Sequence, residues 1–263
     1  MESNETHYSR PDLARDKREI RLGTLLFTIV EARKGFEVAY NRWYERDHFY
    51  SGCMIGEYTL AGARYVATRA CKALRYGSDA DLIKGSFLAL YWILDGHHAD
   101  WDNWAVIQVN KLHAEGRMFK ERDHVHTGLY QYEQEYNAPA STTPIELALD
   151  RPYAGVAAFI IDLAPGKSAA DARAFFSALP CPGDVALLSS PLPLDERSPA
   201  DVPDSSGDHV TLVSFSIENP ADVWTSRYAD IGERIEQAGL GRVRFASPFV
   251  ATVPGTDTYM EEL

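Results

Sequence analysis

The fold is decided by one stretch of ten residues, Tyr40-Asn-Arg-Trp-Tyr-Glu-Arg-Asp-His-Phe49. It follows an apolar run, Leu22 to Val30, which predicts a β-strand. Its aromatic and apolar residues recur at helical spacing and form one broad face, so a helix is predicted over residues 36–49. At the end of this helix, Asp47 and His48 place an acid beside the side chain that titrates nearest to neutral pH.

Outward from this stretch, the same order of predicted elements occurs twice. The first pass consists of strand 23–30, helix 36–49, strand 60–69, strand 86–94, helix 98–115 and strand 124–134. The second consists of strand 156–163, helix 168–179, strand 184–190, strand 209–217, helix 221–238 and strand 242–252. Each pass is βαββαβ, the split βαβ order of ferredoxin-like folds.

The repeated order predicts how the chain is organised and closed. A polar N-terminal arm (1–21) is followed by a first ferredoxin-like repeat (22–137), a linker (138–153) and a second repeat (154–263). Helices cover only one face of each predicted sheet, and the other face must be buried against a second sheet. We therefore expect an α+β fold in which the two repeats close into a pseudo-symmetric barrel within one chain. A homodimer is compatible with this architecture but is not required by it.

A strand, an aromatic helix and Asp47-His48 at the helix end resemble the start of an EthD-like domain of the dimeric α+β barrel superfamily. The tail Pro254-Gly-Thr-Asp-Thr-Tyr259 is similar to the ends of other two-repeat members. The resemblance implies that His48 lies near a pocket between helix and sheet. It also implies an enzyme, although the superfamily carries many chemistries on one scaffold.

Composition excludes several classes of partner. The chain has 263 residues, 45% of them hydrophobic, and a formal net charge of −12, which disfavours binding to nucleic acid or to anionic lipid. No apolar run approaches the roughly 20 residues that span a bilayer, and the polar N-terminus lacks the apolar core of a signal peptide. The three cysteines are widely spaced, which favours a reducing compartment. We therefore expect a cytoplasmic protein with a small-molecule partner.

His48 is the first candidate for catalysis, because an imidazole beside a pocket can take a proton from a carbon next to a carbonyl group. The alternative is that His48 only caps the helix C-terminus, where a cation is favourable. His124 and His126 are the second candidates, since residues two apart on a strand share a face. They would form an acid–base pair, a pair of metal ligands or a solvated strand face, and Tyr130 would continue the same stripe.

Large rings are concentrated in the first repeat, which predicts that the working pocket belongs to it. Tyr44 or Tyr65 is expected to donate a hydrogen bond to a developing oxyanion. Arg64 alternates with Tyr65, so one of the two faces the pocket, and an arginine there would bind a carboxylate or an enolate oxygen. The predicted substrate-binding residues are Trp43, Asp47, Arg64, Tyr65, Trp92 and Tyr130.

No cofactor is predicted from the motifs. His97, His98, Asp100, His113, His124 and His126 fall within one stretch that could hold a metal. However, the chain has neither HExxH nor zinc-type Cys/His spacing, and helix capping accounts for residues 97–102 without a metal. Haem is disfavoured because the second repeat has no histidine on a predicted helix. GxGxxG, P-loop and GxSxG motifs are absent as well.

The sequence therefore predicts a cofactor-independent enzyme that transfers protons on a small apolar aromatic or polyketide-like carbonyl compound. The reaction would be of lyase or isomerase type, namely an isomerisation, cyclisation, dehydration or decarboxylation. The catalytic residues would be His48, His124 or His126, and Tyr44. Two alternatives stay open: a cofactor-free monooxygenase of the same superfamily, and a non-catalytic protein that binds a small ligand.

Overall fold

A computed structural model describes residues 20–199 and 207–263, so the predicted polar arm at 1–21 lies almost wholly outside the described residues. In these residues the strands are β1 (Leu22–Ala32), β2 (Thr59–Val66), β3 (Phe87–Leu94), β4 (Arg122–Asn137), β5 (Gly155–Leu163), β6 (Val185–Leu192), β7 (His209–Ser216) and β8 (Gly241–Ala251). The α-helices are α1 (Glu37–Trp43), α2 (Arg69–Ala73), α3 (His98–Ala114), α4 (Ala169–Ser177), α5 (Trp224–Arg227) and α6 (Ile231–Gln237). A π-helix (Tyr44–Met54) continues α1 directly.

The strands close into one antiparallel barrel in the order β1-β3-β2-β8-β5-β7-β6-β4, and β4 pairs with β1 to complete the ring. The order β4-β1-β3-β2 in the first half recurs as β8-β5-β7-β6 in the second half. The predicted pair of ferredoxin-like repeats and the pseudo-symmetric barrel are therefore confirmed. Two seams join the halves: β4 pairs with β6 over eight residue pairs, whereas β2 pairs with β8 over two.

Successive strand residues point alternately into the barrel and towards the helices outside it. The barrel interior is packed with large side chains from both repeats, and Trp92 of β3 contacts Phe215 of β7 there with ring centroids 6.2 Å apart. Outside the second repeat, Phe159, Trp224 and Tyr228 fill the layer between sheet and helices. The corresponding layer of the first repeat contains a cavity.

The first predicted helix differs most from the structure. It begins at Glu37 and does not end at Phe49, because the backbone changes to π-helical hydrogen bonding at Tyr44 and continues to Met54. His48 therefore lies in the middle of a helical segment. The alternative in which His48 only caps a helix C-terminus is wrong for this reason.

Two other boundaries were predicted incorrectly. The strand expected to reach Arg69 ends at Val66, because Thr68 accepts a hydrogen bond from the Cys71 backbone amide and caps α2. The helix expected over 221–238 is divided into α5 and α6. At the break, the carbonyl oxygen of the buried Tyr228 accepts both from the Tyr76 hydroxyl at 3.0 Å and from the backbone amide of Ile231 at 3.3 Å.

Among residues 20–199 and 207–263, no helix combines the length and the apolar character that crossing a bilayer requires.

Candidate active site

A cavity of about 120 Å³ lies outside the barrel in the first repeat. Its floor is the helix-facing side of β1 and β4, and its walls are the π-helix and α3. Residues 194, 198 and 199, from the loop after β6, close one side, so the second repeat also contributes to this cavity. The lining is mainly apolar and aromatic, and the polar groups are few. Such a composition is typical of a small-molecule site.

The π-helix brings the functional side chains of this wall together. Its hydrogen bonds run from residue i to i+5, which widens each turn, so residues four apart lie nearly above one another. Tyr44, His48 and Gly52 therefore share one face, and Cys53 lies beside them on the cavity wall. A Cβ atom at Gly52 would lie 2.7 Å from Cε1 of His48, so a larger residue there would displace the imidazole.

His48 is held between aromatic rings. Its imidazole stacks on Trp43 with ring centroids 4.7 Å apart and planes 15° from parallel, and it meets the edge of Tyr44 at 5.2 Å. Removal from water lowers the pKa of His48 to about 3, and the positive charge of Arg122 acts in the same direction. The imidazole is therefore neutral at physiological pH and can accept a proton. It becomes strongly basic only when a negative charge forms beside it.

Tyr44 supplies a hydrogen-bond donor on the same wall. Its hydroxyl lies 2.9 Å from the hydroxyl of Tyr91, and the Arg64 guanidinium packs over its ring at 4.6 Å from the centroid. Burial raises the pKa of Tyr44, so the phenol keeps its proton. Burial also raises the pKa of the Cys53 thiol to about 12. A thiol in that state is a poor nucleophile, which fits the interpretation of Cys53 as a small apolar side chain.

The prediction that His124 and His126 share a face of β4 is wrong. Their partners on β1 are the neighbours Val30 and Ile29, with a register shift between the two pairs, so Val125 is an extra residue in a β-bulge. His124 therefore lines the cavity, where its Nδ1 lies 3.2 Å from Oγ1 of Thr127. His126 instead points into the barrel.

Inside the barrel, His126 belongs to a buried polar cluster. The Tyr130 hydroxyl lies 2.7 Å from Nε2 of His126 and 3.0 Å from Nε2 of His209. Burial lowers the pKa of His126 to about 3 and that of His209 to about 4, and the charge of Arg244 adds to both effects. Both imidazoles are therefore neutral, and the phenol donates to one of them while it accepts from the other.

The remaining predicted site residues are distributed over three places. Trp43 lines the cavity. Tyr65 and Trp92 face the barrel interior, as Tyr130 does, so the structure does not bring them together with His48. Asp47 turns away from the cavity, forms an ion pair with Arg117 and accepts a hydrogen bond from Ser51 at 2.9 Å. Its pKa is lowered chiefly by the hydrogen bond from that guanidinium.

The sequence left open which of the neighbours Arg64 and Tyr65 faces the helices. In the structure it is Arg64. Its guanidinium packs over the face of the Tyr44 ring, and Arg64 does not line the cavity. An arginine that the sequence analysis missed is closer to the candidate chemistry. Arg122 lines the cavity and packs over Trp43 at 5.5 Å.

A sequence signal for Arg122 was present, because Arg122 and His124 alternate at the start of β4 as two residues of one face do. By contrast, the cavity residues Leu194, Ser198 and Pro199 gave no signal. They come from the other repeat, and only the folded chain brings them to this site.

The histidine-rich segment does not converge on one point. His97 stacks on Tyr58 at 3.8 Å, Nδ1 of His98 lies 3.3 Å from Oγ1 of Thr24, and His126 is inside the barrel. In the part of the chain that the structure describes, no group of three or more His, Cys, Asp or Glu side chains is placed to hold a metal ion.

The residues of the second repeat do not fit a haem. His209 is the one histidine that follows His126 in the sequence, and it lies on a strand and faces the barrel interior. The layer where a macrocycle would lie between sheet and helix is filled by Phe159, Trp224 and Tyr228. In the first repeat, a cavity of about 120 Å³ is small beside the roughly 300–1,000 Å³ of typical ligand pockets. We therefore derive no step through a haem.

Comparison with known proteins supports the fold. No protein-family model matches the chain, and no curated protein matches it either. Among solved structures, a candidate monooxygenase of Fusobacterium nucleatum aligns with a TM-score of 0.51 and 10% identity, over 89% of this chain and 94% of its own. A candidate chlorite dismutase aligns with a TM-score of 0.53 and 10% identity, over 92% of this chain and 100% of its own.

A third structure, an anthrone oxidase-like protein, aligns with a TM-score of 0.51 and 12% identity, over 89% of this chain and 95% of its own. At this identity the likeness concerns the fold alone. The neighbours are ferredoxin-like α+β barrel proteins, and each is matched over nearly its whole length. The chain therefore has the fold of the dimeric α+β barrel proteins, with both repeats in one chain.

Proposed function

We propose that the protein is an EthD-like enzyme that transfers protons on a small apolar aromatic or polyketide-like carbonyl compound, without a cofactor. The observation that carries this proposal is the pairing of a neutral imidazole, His48, with a protonated phenol, Tyr44, on one wall of an apolar cavity. An acceptor and a donor on one wall are the two groups that enolisation needs. The reaction would be an isomerisation, cyclisation, dehydration or decarboxylation.

The proposed chemistry begins at a carbon next to the substrate carbonyl. His48 takes a proton from this carbon, and negative charge develops on the carbonyl oxygen. Tyr44 donates a hydrogen bond to that oxygen. The new negative charge raises the proton affinity of His48, which offsets the low pKa of the imidazole in the empty cavity. In an isomerisation, His124, which also lines the cavity, would give a proton to a second position, and the proton held by His48 would pass through solvent to restore His124.

The cavity size suggests a ligand of which only part is enclosed. A dry cavity of roughly 150 Å³ holds one benzene ring. His113 and Met118 line both the cavity and an adjoining surface groove, so a longer molecule could extend outward past them. We therefore expect one ring beside His48 and the rest of the substrate in this groove.

Hydrogen–deuterium exchange on 2-indanone would test the proposal, because enolisation exchanges its acidic C–H protons with D₂O. The parent protein should accelerate exchange, as followed by proton NMR. His48→Gln should reduce the acceleration by roughly 10²-fold or more, which is the usual contribution of a positioned base. Tyr44→Phe should also reduce it, whereas His126→Gln, in the barrel interior, should not.

The outcomes separate the alternatives. Acceleration that survives His48→Gln would contradict the proposed role of this residue. Saturable binding of 2-indanone and related ketones, with no exchange by any of them, would instead favour the non-catalytic ligand-binding protein.

A second candidate function is a cofactor-free monooxygenase, which the names of two neighbours favour, one a candidate monooxygenase and one an anthrone oxidase-like protein. After His48 removes a proton, an electron-rich carbanion would react with O₂. A ring CH₂ would become C=O, with one oxygen atom kept in the product and the other released as water. Oxygen consumption on addition of an anthrone, lost in His48→Gln, would support this reaction.

We also propose that the protein acts in the cytoplasm, since Cys53 and Cys71 are buried free thiols and Cys181 is unpaired. Because the barrel closes within one chain, the site does not depend on a second copy, and any homodimer would be additional to it.

A further inference from the structure

A second cavity, of about 370 Å³, lies on the other side of the π-helix. It opens where β2 and β8 meet, at the short seam between the repeats. Glu45 and Phe49 of the π-helix line this cavity, whereas Tyr44 and His48 line the first one. Its volume falls within the range of small-molecule pockets. The proposed function does not use this cavity.

Arg64, Glu45 and Tyr153 line this second cavity, and each carries a buried polar atom without a hydrogen-bond partner: Nη2, Oε1 and the hydroxyl, respectively. They are half of the six such atoms in the described residues. Arg64 is 9% exposed and Tyr153 is 4% exposed. Since buried polar groups without partners are unfavourable and rare, three of them on residues around one cavity point to a polar ligand at this place.

Arg64 determines the charge of that molecule. A guanidinium stays charged at any physiological pH, and burying it without a partner is unfavourable. Within the described residues, no carboxylate lies within ion-pairing distance of Arg64, whose recorded contact is the face of the Tyr44 ring. Arginine binds carboxylates in a planar, bidentate manner, so a carboxylate is the complementary group.

Glu45 and Tyr153 determine which other polar groups the ligand should carry. One oxygen of Glu45, Oε2, accepts from the backbone amide of Gly255 at 3.1 Å, whereas Oε1 has only a long ion pair with Nε of Arg46, at 3.8 Å, and no hydrogen bond, so it can still accept one. A hydroxyl or an amino group on the ligand would supply that donor. The Tyr153 hydroxyl can either donate or accept. The apolar lining consists of Phe49, Tyr50, Tyr65, Leu149, Pro152 and Pro254.

We propose that this cavity binds a small carboxylic acid that carries a hydroxyl or amino group on an apolar, ring-sized body. The carboxylate pairs with Arg64 and Tyr153, and the donor meets Glu45. Arg151 and Asp150 also line the cavity, so the lining carries both signs of charge. It therefore suits a molecule with both acceptor and donor groups better than a simple anion.

Calorimetric titration of the full chain with 3-(4-hydroxyphenyl)propionate tests this inference, and the matched control ligand is the corresponding alcohol, 3-(4-hydroxyphenyl)propan-1-ol. The acid should bind at least tenfold more tightly than the alcohol. Arg64→Met should remove this preference, and Tyr153→Phe should weaken binding of the acid several-fold. His48→Gln, which changes only the first cavity, and Arg234→Gln, on the exposed surface of α6, should bind the acid as the parent does.

Equal binding of acid and alcohol by the parent, or no binding of either, would overturn the proposal and indicate that solvent satisfies the three atoms. Parent-like binding by Tyr153→Phe together with loss of binding in His48→Gln would also overturn it, because the acid would then occupy the first cavity. Tyr153→Phe keeps the ring that packs on Phe215, so this result does not depend on the folding of Arg64→Met.

Discussion

The two imidazoles inside the barrel should make the protein sensitive to acid well above the pH at which carboxylates titrate. His126 and His209 are 4% and 1% exposed, and their pKa values are lowered to about 3 and about 4. In the unfolded chain both should titrate near pH 6.5. Between these values the unfolded state binds more protons than the native state, so acid favours unfolding.

The size of the effect follows from this difference. Above pH 6.5 both imidazoles are neutral in the native and in the unfolded state, so the native state keeps its full stability. This stability decreases as the pH falls below 6.5, the pKa of histidine in the unfolded chain. At pH 5.5, one unit below the pKa in the unfolded chain, each imidazole lowers the free energy of unfolding by about 1.4 kcal/mol, and the two together lower it by about 3 kcal/mol. That is a large part of the roughly 5–15 kcal/mol that stabilises a typical domain.

Urea denaturation at pH 7.5 and pH 5.5 would measure this difference in the free energy of unfolding. His126→Gln and His209→Gln should each reduce the difference by about 1.4 kcal/mol, whatever they do to stability at pH 7.5. Ile107→Ala, at an exposed position of α3 that carries no titratable group, serves as the control and should leave the difference as in the parent. A pH difference of the same size in both barrel variants and the parent would refute the reasoning.

Two substitutions and one labelling experiment test other parts of the structure. Gly52→Ala should push the His48 ring off its stacking position and weaken ligand binding at least tenfold, measured by titration, with a melting temperature near that of the parent. Trp92→Phe should lower the free energy of unfolding by about 1–3 kcal/mol in urea titrations, because Ile145 loses a 2.9 Å hydrogen bond to its carbonyl oxygen in the core. Cys53 should resist iodoacetamide at pH 8 until the protein unfolds, as judged by peptide mass mapping, and rapid labelling of the native protein would contradict its buried position.

Periodicity was sufficient to predict the fold. Strand alternation and helical spacing are set by local geometry, so the order βαββαβ could be recognised twice in the sequence. Closure of the two sheets into a barrel was then expected because one face of each predicted sheet was not covered by helices. Two local irregularities were not predictable in this way. The π-helix after Trp43 widens each helical turn, and the bulge at Val125 inserts one residue into β4; hydrogen bonding in the folded chain decides where both occur.

The π-helix and the bulge also explain which parts of the candidate site could be predicted from the sequence. Trp43, Tyr44 and His48 are on one continuous helical segment, and the position of His48 beside a pocket was implied by the family resemblance that this segment carries. The pairing of His124 with His126 assumed a regular strand and failed at the bulge. The loop at 194–199 was unpredictable as part of the site, because its contacts join residues far apart in sequence.

The two seams that join the halves of the barrel differ in their number of backbone pairs. The β4–β6 seam has eight residue pairs, whereas the β2–β8 seam has two and is supplemented by contacts of the first repeat with the C-terminal tail. Arg42 binds Asp257, and Arg69 donates to the carbonyl oxygen of Leu263. Because exposed ion pairs are screened by salt, the ease with which the two halves separate along this seam should depend on ionic strength. We therefore expect salt to weaken the β2–β8 seam, whereas the backbone pairing of the β4–β6 seam should be insensitive to it.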